Sequence, residues 1–282
     1  MQVARFLAPT DPNPRAGLVQ GRDVVTLVGL SKLSDLLHAP DPIALATQSA
    51  QGPTFALADV TLLAPIDDQE VWGAGVTYER SKVAREEESE RAATFYDDVY
   101  KADRPELFFK ATPNRVVATG PAVRVRADSK WSVPEPELGL VLDPSLRLVG
   151  YTIGNDMSAR DIEGRNPLYL PQAKMYDACC ALGPVVELAT AENASRAWPI
   201  TLQIERGGRK VFQGETSTAR MARDFASLIA WLGRENVFPS GVVLLTGTGI
   251  VPPDDFSLQA DDLVRIAVEG IGELVNTVVK RT

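Results

Sequence analysis

Histidine and cysteine are scarce in this sequence, and their scarcity excludes several kinds of site. His38 is the single histidine among 282 residues. A Ser-His-Asp or Cys-His mechanism would have to use this residue, which ends the amphipathic stretch SKLSDLLHA at a position typical of a helix C-terminus. The two cysteines, Cys179 and Cys180, are neighbours, and neighbours do not easily meet disulfide geometry. The sequence therefore has no disulfide framework and no zinc-type Cys/His spacing.

Basic charge and long apolar runs are also lacking. The chain has 29 Lys and Arg against 37 Asp and Glu, so its net charge is −8. Since nucleic-acid phosphates attract a basic surface, we expect no nucleic-acid partner. The best apolar stretch, residues 241–251, is far too short to cross a membrane, and the start MQVARFLAPTDPNP lacks the apolar run of a signal sequence. We therefore predict a cytoplasmic protein with no membrane partner.

The composition is that of a globular protein, with 45% hydrophobic and 23% charged residues. Residues 1–65 contain short strand-like pieces and two short helices, which predict a small N-terminal domain. From residue 66 we predict one catalytic domain to residue 282, with many short strands separated by Gly, Pro and Asp. Helical patterns occur at about 78–100, near Ser158 and after Asp224, a predicted N-cap. The expected fold class is β-rich α+β with antiparallel and mixed pairing.

Two carboxylates stand close together in the segment VPEPELGLVL. If this segment is a strand, its period of two places Glu135 and Glu137 on the same face. The prolines favour a sheet edge or the start of a strand. Two carboxylates on one face repel unless a cation lies between them, and such oxygen ligands suit Mg²⁺, Mn²⁺ or Ca²⁺. The alternative is an exposed edge strand that uses charge and proline against aggregation.

A third carboxylate follows in GYTIGNDMSARD, where an apolar strand runs into a polar turn. Asp156 lies at the end of this strand, a rigid position from which a side chain can face a cleft. The alternative is that Asp156 is the N-cap of the next helix. Together, Glu135, Glu137 and Asp156 predict a facial ligand set for one Mg²⁺, with the other positions left to water and substrate.

Four segments, VPEPELGLVL, GYTIGNDMSARDIE, QAKMYDACCALGPVV and VVLLTGTG, occur in this order and resemble the fumarylacetoacetate hydrolase superfamily. Within it, FFKAT and NDMSARDIEGRNPLYLPQAK are similar to the dehydratases of 2-keto-3-deoxy-D-arabinonate or xylonate. The resemblance covers about residues 70–280. It implies a mixed β-roll or sandwich catalytic domain, a divalent cation and a homodimer or higher homo-oligomer. The metal ligands that it implies are Glu135, Glu137 and Asp156.

The resemblance implies roles for three further residues. Lys174, in QAKMYD, matches a buried lysine beside the metal. Thr248 matches a hydroxyl that contacts the substrate, and Arg160 matches an arginine that braces or contacts the site. Taken alone, Lys174 would be interpreted as a surface charge, Thr248 as a turn residue and Arg160 as a charge on a helix face. Because Lys174 lies between LYLPQA and CCALGPVV, we expect it to be buried, and burial lowers the pKa of a lysine towards that of a general base.

One family motif is absent. Hydrolytic members usually carry Tyr-x-x-His-x-x-Glu, whose His and Glu activate the attacking water. Here the pattern starts at Tyr78, with Ser81 in the histidine position and Ala84 in the glutamate position. Carbon-carbon hydrolysis by the usual route is therefore not expected. By analogy, the charged helix that starts near Tyr78 would act as a lid.

The mechanism that fits these residues is dehydration of a 2-keto-3-deoxy sugar acid. A divalent cation stabilises the enolate of a 2-keto acid when a proton leaves C3, and the enolate then expels the C4 hydroxyl. A 2-keto-3-deoxypentonate would give 2,5-dioxopentanoate and water. We assign the removal of the C3 proton to Lys174. Glu106, at the head of ELFFKA, is a candidate acid or second base, and the alternative is a solvated charge at the start of a strand.

Three other functions stay open. An acylpyruvate or fumarylacetoacetate-type hydrolase or an oxaloacetate-type decarboxylase would keep the metal and the enolate but break a different bond. A non-catalytic module would bind a structural cation and act through a dimer surface. The presence of Lys174 and Thr248 beside the ligands argues against the module, because a structural site has no use for them.

Overall fold

The computed structural model describes residues 1–78 and 99–281. Its strands are β1 (Gln2–Leu7), β2 (Arg15–Gln20), β3 (Asp23–Leu27), β4 (Ala50–Ala56), β5 (Thr61–Leu63), β6 (Glu70–Gly75), β7 (Glu106–Ala111), β8 (Val116–Val117), β9 (Gly120–Val125), β10 (Ser132–Val133), β11 (Pro136–Leu142), β12 (Leu148–Asp156), β13 (Ser158–Ala159), β14 (Cys180–Leu188), β15 (Pro199–Arg206), β16 (Arg209–Ser217), β17 (Val242–Leu245), β18 (Leu263–Val268) and β19 (Gly272–Lys280). Its helices are α1 (Leu33–Leu37), α2 (Pro42–Ser49), α3 (Arg160–Arg165), α4 (Leu170–Lys174) and α5 (Phe225–Leu232).

The main sheet has the order β4-β3-β2-β1-β14-β12-β11-β17-β6-β7, with β5 added on β1 and β8 on β14. Most pairs are antiparallel, whereas β17 and β6 are parallel. The strands of the first 65 residues join this sheet through β1, in which Val3 pairs with Val186 of β14. The predicted mixed pairing is confirmed.

Strand β12 lies at the centre of the sheet because two glycines leave room for its neighbours. A Cβ at Gly150 would lie 2.3 Å from Cγ1 of Val186, and a Cβ at Gly154 would lie 2.3 Å from Cδ2 of Leu245. Side chains from the strands and loops beside β12 therefore pack directly over its backbone.

A second sheet, with the order β16-β15-β18-β19-β9, packs on one face of the main sheet. Leu138 and Ile153 share one apolar core with Ile200 and Ile266 of this second sheet. The rings of Tyr151 and Trp198 meet across the interface at 4.8 Å. A second apolar core lies against the leucines of α1: Leu33, Leu36 and Leu37. The strand-rich α+β sandwich predicted from the sequence is confirmed.

Local signals also match the structure. Helix α5 follows Asp224, whose side chain accepts a hydrogen bond of 2.6 Å from the backbone N–H of Ser227. His38 is the C-cap of α1, and the helix predicted near Ser158 begins at Arg160. Among the described residues, no helix combines the length and apolar character needed to cross a membrane.

Candidate active site

Three buried carboxylates meet where β11 and β12 run side by side. Glu135 immediately precedes β11, Glu137 is its second residue and Asp156 ends β12. Glu137 pairs with Gly154 in the antiparallel register, which places Asp156 beside both glutamates. One oxygen of each carboxylate lies within 4.8 Å of the others. The three predicted carboxylates thus form a cluster able to bind a metal ion.

Both structural alternatives for these carboxylates are wrong. Strand β11 is not an edge strand, since it lies between β12 and β17 and all of its residues are buried. The prolines occupy the approach to β11 and its first position. Asp156 is not a helix N-cap, because the N-cap of α3 is Ala159.

The environment of Glu137 fits a divalent cation. Burial, followed by repulsion from Asp156 and Glu135, raises the pKa of Glu137 well above its ordinary value. The backbone N–H of Gly247 donates a hydrogen bond of 2.5 Å to Oε2 of Glu137 and fixes that carboxylate. A hard cation between the three groups would offset their repulsion, and carboxylate oxygens are the ligands that Mg²⁺ prefers.

Lys174 lies next to the cluster as the last residue of α4, with 1% of its surface exposed. Its Nζ donates to Oε2 of Glu135 at 2.7 Å, Oδ2 of Asp156 at 3.1 Å and Oγ of Ser158 at 2.6 Å. The ring centre of Phe108 is 5.5 Å from Nζ, a favourable cation–π distance. The predicted burial of Lys174 is confirmed, and its ammonium touches two of the candidate metal ligands.

Arg160 and Thr248 reach the same site from different elements. The buried Arg160 opens α3, and its Nη2 donates to Oε1 of Glu135 at 2.8 Å. Thr248 lies in the loop after β17, where its hydroxyl accepts a hydrogen bond of 3.2 Å from the backbone N–H of Ile250. Arg160 therefore braces a candidate ligand, while Thr248 lies in a turn on the wall of the site.

Glu106 begins β7, at the position predicted from ELFFKA. It lines one cavity together with Glu135, Arg160, Lys174 and Thr248. Gly75 of β6 pairs with Glu106, and a Cβ at Gly75 would lie 2.0 Å from Oε2 of Glu106. The carboxyl group of Glu106 therefore lies directly over a glycine at the edge of this cavity.

A second buried lysine was not singled out from the sequence. Lys110 of β7 is fully buried, and its Nζ lies 2.5 Å from Oδ1 of Asp156. Burial lowers the pKa of Lys110, but the effects of Asp156, Cys179 and Cys180 together raise it by more, and the net pKa lies above the ordinary value. Lys110 is therefore charged. The available signals were a lone lysine in the apolar run ELFFKA and its place in FFKAT, one of the segments that carry the resemblance.

The contacts described above combine three acidic and three basic groups. The acidic groups belong to Glu135, Glu137 and Asp156, and the basic groups to Lys110, Arg160 and Lys174. A buried charge is tolerated when an opposite charge accompanies it. The basic side chains thus allow three carboxylates to be buried together.

Some predictions lie outside the described residues. They concern most of the charged helix at about 78–100, its role as a lid, and the substitutions at Ser81 and Ala84 of the hydrolytic motif.

Comparison with known proteins identifies the family. Residues 70–279 match the fumarylacetoacetate hydrolase C-terminal family model. The chain belongs to the fumarylacetoacetate hydrolase family. Residues 1–65 match a second model, the Rv2993c-like N-terminal family.

Relatives of this family member include dehydratases of sugar acids. A probable 2-keto-3-deoxyxylonate dehydratase of Haloferax volcanii is 48% identical over 232 residues, covering 82% of this chain and 80% of the relative. A 2-dehydro-3-deoxy-D-arabinonate dehydratase of Saccharolobus solfataricus is 46% identical over 231 residues, covering 81% and 78%. The predicted resemblance is therefore confirmed.

The fold also matches a solved structure of a 2-keto-3-deoxy-D-arabinonate dehydratase complexed with magnesium and 2,5-dioxopentanoate. The TM-score is 0.83 and the identity 36%, covering 100% of this chain and 99% of that chain.

Proposed function

We propose that this protein is a Mg²⁺-dependent hydro-lyase that converts a 2-keto-3-deoxypentonate into 2,5-dioxopentanoate and water. The observation that carries the proposal is the convergence of three buried carboxylates with Lys174 and Glu106 around one cavity. Identities of 46% and 48% to two sugar-acid dehydratases support the choice of substrate class.

Glu135, Glu137 and Asp156 would hold the cation. A bound Mg²⁺ would supply Lewis-acid stabilisation of the negative charge that develops on the keto oxygen of a 2-keto acid. The chain then has to orient the substrate and move protons. Arg160 holds Glu135 in place through its hydrogen bond of 2.8 Å. Thr248 would contact the carboxylate or keto group of the substrate.

In its amine form, Lys174 would take the proton from C3. The hydroxyl of Ser158 and the carboxylate of Glu135 accept hydrogen bonds from Nζ and fix its position. A proton-transfer group must lie within hydrogen-bond reach of the atom that it serves. Lys174 is buried beside the candidate ligands and lines the same cavity, which supports this role.

Glu106, in its protonated form, would give a proton to the C4 hydroxyl as the C4–O bond breaks. Removal of the C3 proton supplies the electron pair of the new C3–C4 double bond, and one water molecule leaves. The unsaturated product then loses a proton from C5 and gains one at C3, which gives an enol with its double bond between C4 and C5. Loss of the enol O–H proton and gain of a proton at C4 then give the aldehyde of 2,5-dioxopentanoate. Glu106 and Lys174 line the same cavity from different elements, which supports separate roles for the two groups.

The test is to incubate metal-stripped protein with 2-keto-3-deoxypentonates and with acylpyruvates, with and without Mg²⁺, and to identify the products by mass. We expect Mg²⁺-dependent loss of water from a ketodeoxypentonate, abolished by Glu137→Ala and by Lys174→Ala. Cleavage of an acylpyruvate without any dehydration would contradict the proposal and favour a hydrolase.

We further propose that residues 1–65 form a small N-terminal domain, that residues 66–282 form the catalytic domain, and that the protein is a cytoplasmic homodimer. The separate family matches at 1–65 and 70–279 support the division. Analytical ultracentrifugation tests the dimer, which an active monomer would contradict. Cell fractionation tests the location.

A further inference from the structure

Lys110 occupies an irregular position in its strand. In the pairing of β6 with β7, Val71 lies opposite Ala111 and Trp72 lies opposite Phe109, so Lys110 is an extra residue on β7. Such a β-bulge turns a side chain away from the direction that the regular strand would give it, and bulges are common beside active sites. The bulge directs Lys110 into the interior behind the carboxylate cluster.

The ammonium group of Lys110 has three oxygen neighbours, of which two carbonyls accept its hydrogen bonds and the third, on Asp156, forms an ion pair with it. It lies 2.5 Å from Oδ1 of Asp156 and donates to the backbone carbonyls of Met157 at 3.0 Å and Lys174 at 2.5 Å. Asp156 ends β12, Met157 follows it directly, and Lys174 ends α4. One buried side chain thus joins β7, β12 and α4.

We propose that Lys110 is a positioning residue that holds the metal ligand Asp156 and the proton-transfer residue Lys174 in a fixed relative arrangement. The roles of Asp156 and Lys174 rest on the proposed function. The contacts of Lys110 are observed independently of those roles.

The carboxylate of Asp156 is held from both sides. Its Oδ1 faces Lys110, and its Oδ2 accepts a hydrogen bond of 3.1 Å from Lys174. Rotation of the carboxylate would break both contacts. Without Lys110, Oδ1 would lose its buried positive partner, which is strongly unfavourable in a site hidden from water.

A hydrogen bond from Lys110 also fixes the backbone of Lys174. The last carbonyl groups of a helix accept no hydrogen bond from within the helix and need donors from elsewhere. Lys110 supplies that donor to the carbonyl of Lys174. Loss of this bond would free the end of α4, from which the Lys174 side chain extends into the site.

The test measures Mg²⁺ binding by calorimetry on the full chain in the absence of substrate. The variants are Lys110→Met, which removes the charge and all donors, and Lys110→Gln, which removes the charge but keeps an amide donor. Lys280→Met is the matched control, because the ammonium of Lys280 also donates to a backbone carbonyl, that of Ser129, and Lys280 is not one of the three basic residues paired with the carboxylates.

We expect both Lys110 variants to raise the Kd for Mg²⁺ by about 10-fold to 100-fold, the usual effect of removing a group that orients a metal ligand. Lys280→Met should leave the Kd unchanged. At saturating Mg²⁺, the Lys110 variants should still show a reduced kcat, since Lys174 is displaced.

Three outcomes would overturn the inference. Equal Mg²⁺ affinity in the wild type and either folded Lys110 variant would show that Lys110 does not position Asp156. Failure of both variants to fold would show a structural role instead. A wild type that binds no Mg²⁺ would overturn both the inference and the proposed function. Mg²⁺ binding without dehydration would overturn the proposed function alone, and the comparison of Mg²⁺ affinities would still test the role of Lys110.

Discussion

Lys174 and Glu106 face one cavity, and the two side chains divide the proton transfers of the proposed reaction between them. Removal of the C3 proton belongs to Lys174, and protonation of the leaving hydroxyl belongs to Glu106. The two steps can be measured separately, because exchange of the C3 hydrogen with solvent needs the first step and not the second.

The first prediction separates the two roles. Lys174→Met should abolish both dehydration and exchange of C3 hydrogen for deuterium in D₂O, since the base is lost. Glu106→Gln should slow dehydration by about 10²-fold to 10⁴-fold, the range of general acid catalysis, while exchange continues. Proton NMR of the substrate in D₂O measures both. Exchange at the wild-type rate in Lys174→Met would exclude Lys174 as the base.

The second prediction uses the contact between Gly75 and Glu106. In Gly75→Ala the new Cβ would lie 2.0 Å from Oε2 of Glu106, so the flexible carboxyl group has to move away. We expect dehydration to fall while the Kd for Mg²⁺ stays unchanged, because the ligands are not touched. Steady-state kinetics and calorimetry provide the two readouts. Full activity in this variant would show that the position of Glu106 is unimportant.

The cluster of three candidate ligands could be predicted from the sequence, whereas the position of Lys110 could not. Glu135 and Glu137 follow the period of a strand, and Asp156 marks a strand end. A lone lysine in an apolar strand has no periodic signal. Its direction depends on a bulge that exists only in the pairing of β6 with β7.

At the scale of elements, β11 shows the limit of local patterns. The run PELGLVL predicts a strand, but the two prolines are equally compatible with an edge and with the start of a buried strand. The structure selects the start of a buried strand, because β12 and β17 flank β11. The strands that pair with β11 come from residues 148–156 and 242–245, and this pairing cannot be read from the segment itself.

The third prediction concerns the packing of β12. In Gly150→Ala, the new Cβ would lie 2.3 Å from Cγ1 of Val186 and 2.9 Å from the backbone oxygen of Glu187. Overpacking of this kind costs about 1–3 kcal/mol, so the free energy of unfolding should fall. Gly139→Ala, whose nearest atom would be 3.1 Å away on Thr152, should be milder. Urea unfolding of both variants tests this order, and an inverted order would contradict it.

At the scale of the whole molecule, the first 65 residues and the rest share one sheet. The sequence predicted short strands and two helices for this region, and the structure contains β1 to β5 with α1 and α2. The pairing of β1 with β14 joins segments more than 170 residues apart, as in Val3 with Val186. Local patterns do not specify such a pairing.

The fourth prediction concerns metal removal. Because three basic side chains accompany the three carboxylates, metal-stripped protein should stay folded, as circular dichroism would show. Mg²⁺ at 100 times its Kd should raise the free energy of unfolding by about 2.7 kcal/mol through binding to the folded state. Unfolding on chelation would contradict this, and stabilisation without any turnover would favour a non-catalytic metal-binding module.

The most direct test of the proposed function is the reaction of metal-stripped wild type with 2-keto-3-deoxy-D-arabinonate in D₂O, with and without Mg²⁺. Mass spectrometry and NMR of the product give its identity and its label. We predict 2,5-dioxopentanoate with deuterium at C3 and C4, formed only when Mg²⁺ is restored. Absence of dehydration with Mg²⁺ present, or dehydration at an equal rate under chelation, would contradict a metal-dependent sugar-acid dehydratase.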